Sequence, residues 1–107
     1  MTTLVNTFAA LADDTRLGII ERLMADGEQP AGDLVARSTI SGPAISRHLK
    51  ILREAGLIAQ RTDGNRRLYA VRPEAMQAIA NWTMDHRRFW EAGLDRLDAM
   101  LSEESHD

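Results

Sequence analysis

Cationic side chains dominate the reactive chemistry of this chain, and they cluster. Arg47, Lys50 and Arg53 follow one another at helical spacing, and Arg66 and Arg67 stand a short way beyond. A guanidinium presents a planar fork of N–H donors that matches guanine or a phosphate, whereas a lysine ammonium acts as a point charge on a flexible stem. Ser41, Pro43 and Ser46 lie on the N-terminal side of the same stretch, where small groups permit close approach to a base edge. His48, between Arg47 and Leu49, has two uses open to it: touching phosphate, or packing at a helix edge. Hydrolytic chemistry does not fit, because Ser46 and His48 would diverge by about 200° on a helix and could not form a nucleophile–base pair. Asp85 and His86, near the acidic run Glu91, Asp95 and Asp98, invite a metal. Adjacent residues diverge by about 100°, however, and a shared ion needs partners three or four apart. The chain has no cysteine, which excludes disulfides, thiolate metal sites and cysteine nucleophiles together. No catalytic residue, metal site or cofactor is expected.

The elements that must position these cations can be read in order. Leu4, Phe8, Leu11 and Ala12 share one face of a short first helix. Asp13 is a good N-cap for a second, with Asp14 near its positive end, an apolar stripe of Leu17, Ile20, Leu23 and Met24, and Gly27 as its stop. Pro30 opens a short third helix through Leu34 and Val35 to about Arg37. Ser38-Thr39-Ile40 is a tight turn, after which Ser41 caps a fourth helix with Pro43 in its first turn. That helix buries Ile45, Leu49 and Leu52 and stops at Gly56, leaving Pro43, Ser46, Arg47 and Lys50 on the opposite face. Lys50 and Arg53 suit flanking backbone phosphates. Two short strands, residues 57–61 and 67–71, follow around Thr62-Asp63-Gly64-Asn65, where Asp-Gly signals a hairpin. Arg66 and Arg67 then occupy a tip that can reach a phosphate strand or a narrow minor groove.

Pro73 opens the last and longest helix, expected to run unbroken to about Ser102. Its stripes Trp82, His86, Phe89, Gly93 and Trp90, Leu94, Leu97, Leu101 lie about 80° apart and make one broad apolar face. Such a face exceeds what a small domain can cover, so a dimer interface is expected from Trp82, Phe89, Trp90, Leu94, Leu97 and Leu101, with Leu4 and Phe8 of the first helix. Helix, tight turn, capped basic helix and hairpin together describe a mainly α winged helix-turn-helix with a small β-hairpin.

With 107 residues, of which 44% are hydrophobic and 27% charged, the chain suits a single domain over residues 1–107. Its net charge of −3 hides a segregation: residues 37–72 carry +6, residues 1–36 carry −4 and residues 73–107 carry −5. A basic centre between acidic flanks is the footprint expected of a polyanion partner. No apolar run is long enough to cross a bilayer and no basic-then-apolar leader is visible, so a cytoplasmic, nucleoid-associated protein without membrane contact is expected.

At these residues the chain resembles a known family. Phe8-Ala9-Ala10-Leu11-Ala12-Asp13-Asp14-Thr15-Arg16-Leu17 is similar to the "ALADPTRL" opening of ArsR/SmtB-type repressors. The segment from Ala44 through Arg47, His48 and Leu49 to Ile58 resembles their "AVSRHLKVLREAGLV" recognition segment, and Gly64-Asn65-Arg66-Arg67-Leu68-Tyr69 resembles their wing. The resemblance implies a bacterial transcriptional regulator, usually a repressor, that binds an imperfect inverted repeat in double-stranded DNA as a homodimer; it also favours a DNA contact for His48. Asp14 stands where the family commonly has proline, which a helix start tolerates; Gly42 stands where glutamine is frequent, so one base contact is missing. The stretches Arg87-Arg88-Phe89-Trp90-Glu91 and Leu94-Asp95-Arg96-Leu97 resemble a metal-independent branch. Operator and small-molecule inducer are not specified by the sequence. The competing reading is a winged-helix protein-interaction module whose basic face meets an acidic partner. A steep salt dependence separates the two, because counterion release follows phosphate neutralisation.

Overall fold

Asp13 and Ser41 cap the second and the fourth helix. In the computed structural model, which describes residues 3–104, Asp13 Oδ2 accepts from the Arg16 backbone N–H at 3.0 Å and Ser41 Oγ from that of Ala44 at 3.3 Å. Each fills one of the donors that a helix start leaves unpaired. The helices are α1 (Thr3–Leu11), α2 (Asp14–Asp26), α3 (Ala31–Ala36), α4 (Gly42–Glu54), α5 (Pro73–Asp85) and α6 (Arg87–Glu104). The strands are β1 (Gln29–Pro30), β2 (Ile58–Asp63) and β3 (Arg66–Val71), antiparallel in the order β1-β3-β2.

Ile19, Ile20 and Leu23 of α2, Leu34 of α3, and Ile45, Leu49 and Leu52 of α4 close on one another with Ala10, Leu57, Ile58 and Tyr69. Each fully buried aliphatic side chain contributes about 1.5–3 kcal/mol. The inward edge of α2 differs from the expected stripe. Ile19 is buried, whereas Leu17 and Met24 are 42% and 53% exposed. Both stripes share Ile20 and Leu23 and have helical period; which neighbour goes inside is set by where α4 and β3 sit, not by spacing. On α1 the buried residues are Thr7 and Ala10, Leu4 and Leu11 are half-buried, and Phe8 stays 41% exposed. Thr7 tolerates burial because its hydroxyl donates to Thr3 O at 2.9 Å.

The exit from α4 sets the angle of the hairpin. Gly56 N–H donates to Arg53 O and Leu57 N–H to Leu52 O, both at 3.0 Å, with Gly56 at φ 78°. This pair of bonds needs a left-handed residue at Gly56, and it buries Leu57 against the end of the helix. The first strand of the hairpin begins at Ile58 and runs on to Asp63, and the second begins already at Arg66, so Asp63 pairs with Arg66 and the expected four-residue turn shrinks to Gly64-Asn65. Gly64 alone carries the positive φ, at 62°, which is the pattern of a turn that demands glycine in its first central position. The strand β1 was not expected. Its two residues pair with Tyr69 and Leu68, a contact too short to leave a period-2 signal.

The terminal helix is not continuous: α5 and α6 are separated at His86. Around it the backbone tightens, with His86 N–H donating to Thr83 O at 3.2 Å and Phe89 N–H to His86 O at 3.1 Å. Side chains enter the ladder there. Trp90 Nε1–H donates to Thr83 O at 3.0 Å, and His86 Nδ1 lies 2.8 Å from Trp82 O. Carbonyls taken by side chains are a known cause of a helix break. The chain divides into two compact units, one ending at Gln77 and the other beginning at Ala78. In the first, Ala75 and Met76 pack against the core; in the second, Trp82 and His86 stack with ring centroids 4.6 Å apart. Among the described residues no helix is long and apolar enough to cross a membrane.

Candidate nucleic-acid interface

The outward face of α4 follows from its inward one. With Ile45, Leu49 and Leu52 buried, Ser46, Arg47, Lys50 and Arg53 are exposed, and Ser41 and Pro43 are exposed at the start of the helix. The Ser41 hydroxyl is already occupied as the cap, which leaves its second lone pair and its proton for any further contact. Ser46, Lys50 and Arg53 meet Arg67 of β3 across a cleft of about 200 Å³ whose other walls are Leu49, Gln60 and Tyr69. Residues remote in sequence thus present three cations to one recess. A wider recess of about 500 Å³ lies beneath the hairpin tip, between Pro30-Ala31-Gly32-Asp33 and Asn65-Arg66-Arg67.

Gln60 and Tyr69 take part in this site although their residue types gave no hint of it. They face each other across β2 and β3, and Gln60 Oε1 accepts from both Tyr69 Oη–H, at 3.3 Å, and Arg53 Nη1. Only strand register brings them together, and register is invisible without the pairing. Arg61 is spoken for. It makes a two-pronged contact with Glu28, at 2.7 and 2.8 Å, which ties β2 to the segment ahead of β1. The hydrogen bond from Arg61 holds the Glu28 carboxyl below the usual carboxylate range. Lys50 Nζ stands 3.9 Å from Glu54 Oε1, both exposed, a weak pairing that leaves the ammonium accessible. Among the described residues, Arg47, Arg66 and Arg67 meet no carboxylate.

His48 sits apart from the outward row. It is half-buried and turned toward the α1–α2 corner, with Nδ1 3.3 Å from Arg16 Nη1 and 3.9 Å from Asp13 Oδ2. Backbone hydrogen bonding from Arg16 holds the Asp13 carboxyl below its ordinary value. Arg16 was legible only as part of the opening motif, not as a partner of α4.

Of the residues expected at a dimer interface, Phe8, Trp82, Phe89, Leu94, Leu97 and Leu101 are exposed, Phe89 to 80%, while Leu4 and Trp90 are half-buried. Among the described residues no three histidine, aspartate or glutamate side chains gather around a point that could hold an ion. Glu91 pairs with Arg87 at 2.7 Å.

Helix, turn, capped helix and basic hairpin define a winged helix-turn-helix. Bacterial regulatory proteins of the arsR family match residues 13–60 of this chain. It is 39% identical over 98 residues to the HTH-type transcriptional regulator Rv2034 of Mycobacterium tuberculosis, spanning 92% of this chain and 88% of that protein. It is 44% identical over 97 residues to the arsenical resistance operon repressor of Escherichia coli, spanning 91% and 80% of the two chains. An ArsR-like transcriptional regulator from Rhodococcus sp. RHA1 superposes with a TM-score of 0.73 at 28% identity, covering 92% of each chain. The chain belongs to the arsR family of bacterial regulatory proteins.

Proposed function

We propose that this chain is a sequence-specific DNA-binding repressor that works in the cytoplasm as a homodimer on an inverted-repeat operator. The observation that carries the reading is the convergence of Ser46, Lys50 and Arg53 of α4 with Arg67 of the hairpin around one cleft. In this arrangement α4 enters the major groove with Ser41, Pro43, Ser46 and Arg47 toward base edges, and Lys50 and Arg53 meet flanking phosphates. Arg66 and Arg67 reach the neighbouring backbone or minor groove. The whole chain acts as one regulatory module, with α1 and the helices after Pro73 pairing two copies so that the two α4 helices meet successive half-sites. Regulation proceeds without a resident metal, in line with the missing cysteines and the spacing of Asp85 and His86.

A combined alanine variant of Arg47, Lys50, Arg66 and Arg67, still folded, tests the reading on duplexes selected from a random-sequence pool. Loss of binding is expected, with the wild type showing a steep salt dependence. Unchanged DNA affinity in the variant rejects the assignment, and a basic face that binds acidic protein but no duplex marks an interaction module instead.

A further inference from the structure

His48 leaves the outward row of α4 to meet Arg16, and Arg16 has two contacts. Its Nε–H donates to Ala10 O in the last turn of α1 at 2.6 Å, and its Nη1 lies 3.3 Å from His48 Nδ1. A guanidinium has donors only, so the second contact requires Nδ1 to accept, which places the imidazole proton on Nε2. The His48 side chain is 21% exposed, so the contact is partly sheltered. One guanidinium thereby joins the helix that carries Leu4 and Phe8 to the helix that carries Arg47 and Lys50.

We propose that His48 is a positioning residue: it accepts from Arg16 to hold α4 against the α1–α2 corner, and its protonation releases that hold and weakens DNA binding. The proposal rests on the reading of α4 as the DNA-contacting helix. A protonated Nδ1 carries a hydrogen and cannot accept, so the contact becomes two cations face to face. The charged groups that meet His48 are Arg16 and Asp13 of this corner, with Arg47 next to it on α4. Among the described residues α3 and β2, also packed on α4, bring it none. Asp13 Oδ2 is 3.9 Å away, beyond hydrogen-bond distance, so it takes up the proton on Nδ1 only if the two side chains move together and away from the Arg16 guanidinium. A phosphate contact has the opposite sign, because an imidazolium on a phosphate strengthens binding as pH falls.

The test measures affinity of the full chain for a duplex selected from a random pool, between about pH 8 and about pH 5.5, at constant salt. His48→Asn offers an amide oxygen near the place of Nδ1 and does not titrate. It should match the wild type at the higher pH, and the wild type should fall about three- to tenfold relative to it on acidification. His48→Ala should be weaker than wild type at high pH, with its salt slope unchanged. A wild type that gains on His48→Asn as pH falls, equal pH responses of the two, or a salt slope flattened in His48→Ala each overturn the proposal. If the wild type selects no duplex, the DNA reading fails by itself, and the hold is judged by a double-mutant cycle of Arg16→Ala and His48→Asn on chemical unfolding at low pH and at high pH. The Arg16–His48 hold shows as coupling that differs between the two pH values, and additivity at both rejects it.

Discussion

Arg47 and Arg67 are both exposed arginines with no carboxylate partner among the described residues, yet their places assign them different work. Arg47 stands on the outer face of α4 and Arg67 on the hairpin, so the proposed DNA complex puts the first at base edges and the second at backbone. Arg47→Ala should therefore relax preference at one base position, at about 1–3 kcal/mol for a lost two-pronged base contact. Arg67→Ala should weaken specific and nonspecific binding by similar factors and lower the salt slope by about one unit. Competition titrations against single-base operator variants at several salt concentrations measure both effects. An Arg47→Ala that weakens specific and nonspecific binding alike would place Arg47 on the backbone as well. That both side chains stand exposed was legible from residue type and spacing. Gln60 and Tyr69 were not, because what brings them to Arg53 is the register of two strands.

At the scale of elements, the hairpin is held from two sides. The Gly56–Leu57 exit fixes its departure from α4, and the Arg61–Glu28 pair ties β2 back to the segment ahead of β1. Because the folded Glu28 carboxyl is held below its ordinary value of 4.5 by the Arg61 hydrogen bond, its contribution to stability is complete above that value. It is lost as pH falls through the depressed folded value. Glu28→Gln should lower the thermal midpoint at neutral pH, and the gap from wild type should close on acidification below about 4.5. Thermal scans from neutral to strongly acidic pH check the sign; a gap that widens on acidification contradicts it. Asp13, also held low, keeps its own acid sensitivity in the variant. The break at His86 belongs to this scale too. No proline or glycine marks it, the apolar pattern runs straight through, and the side chains of Trp90 and His86 take the carbonyls instead.

For the whole molecule, the informative feature is the apolar surface of the second unit. Phe89, Leu94, Leu97, Met100 and Leu101 are each more than half exposed, which water does not favour for so many large side chains on one helix. A two-fold interface repeats each contact, so one charge near the axis is felt twice. If the proposed homodimer forms through this surface, Leu97→Glu should shift the chain toward monomer in sedimentation at micromolar concentration, because an unpaired carboxylate resists burial. Operator affinity should then drop far more than nonspecific binding, since each copy keeps its basic face but loses the half-site spacing. A wild type that sediments as a monomer and still binds an inverted repeat tightly would remove both the interface and the two-fold mechanism.

Periodicity, caps and turn residues are local, and local features survive in a bare sequence. Asp13 and Ser41 announced their helices, Ile45, Leu49 and Leu52 announced the buried face of α4, and Gly56 and Gly64 announced the turns, because each acts within a turn or two of its own position. The cationic face of α4 followed by subtraction. Contacts between remote segments carry no such period. Packing alone chose Ile19 over Leu17 for the inside of α2, paired Gln29 with Tyr69, and set Gln60 under Arg53. It also turned His48 away from the outward row toward Arg16, because a side chain at a helix edge goes to whichever neighbour the tertiary fold places there.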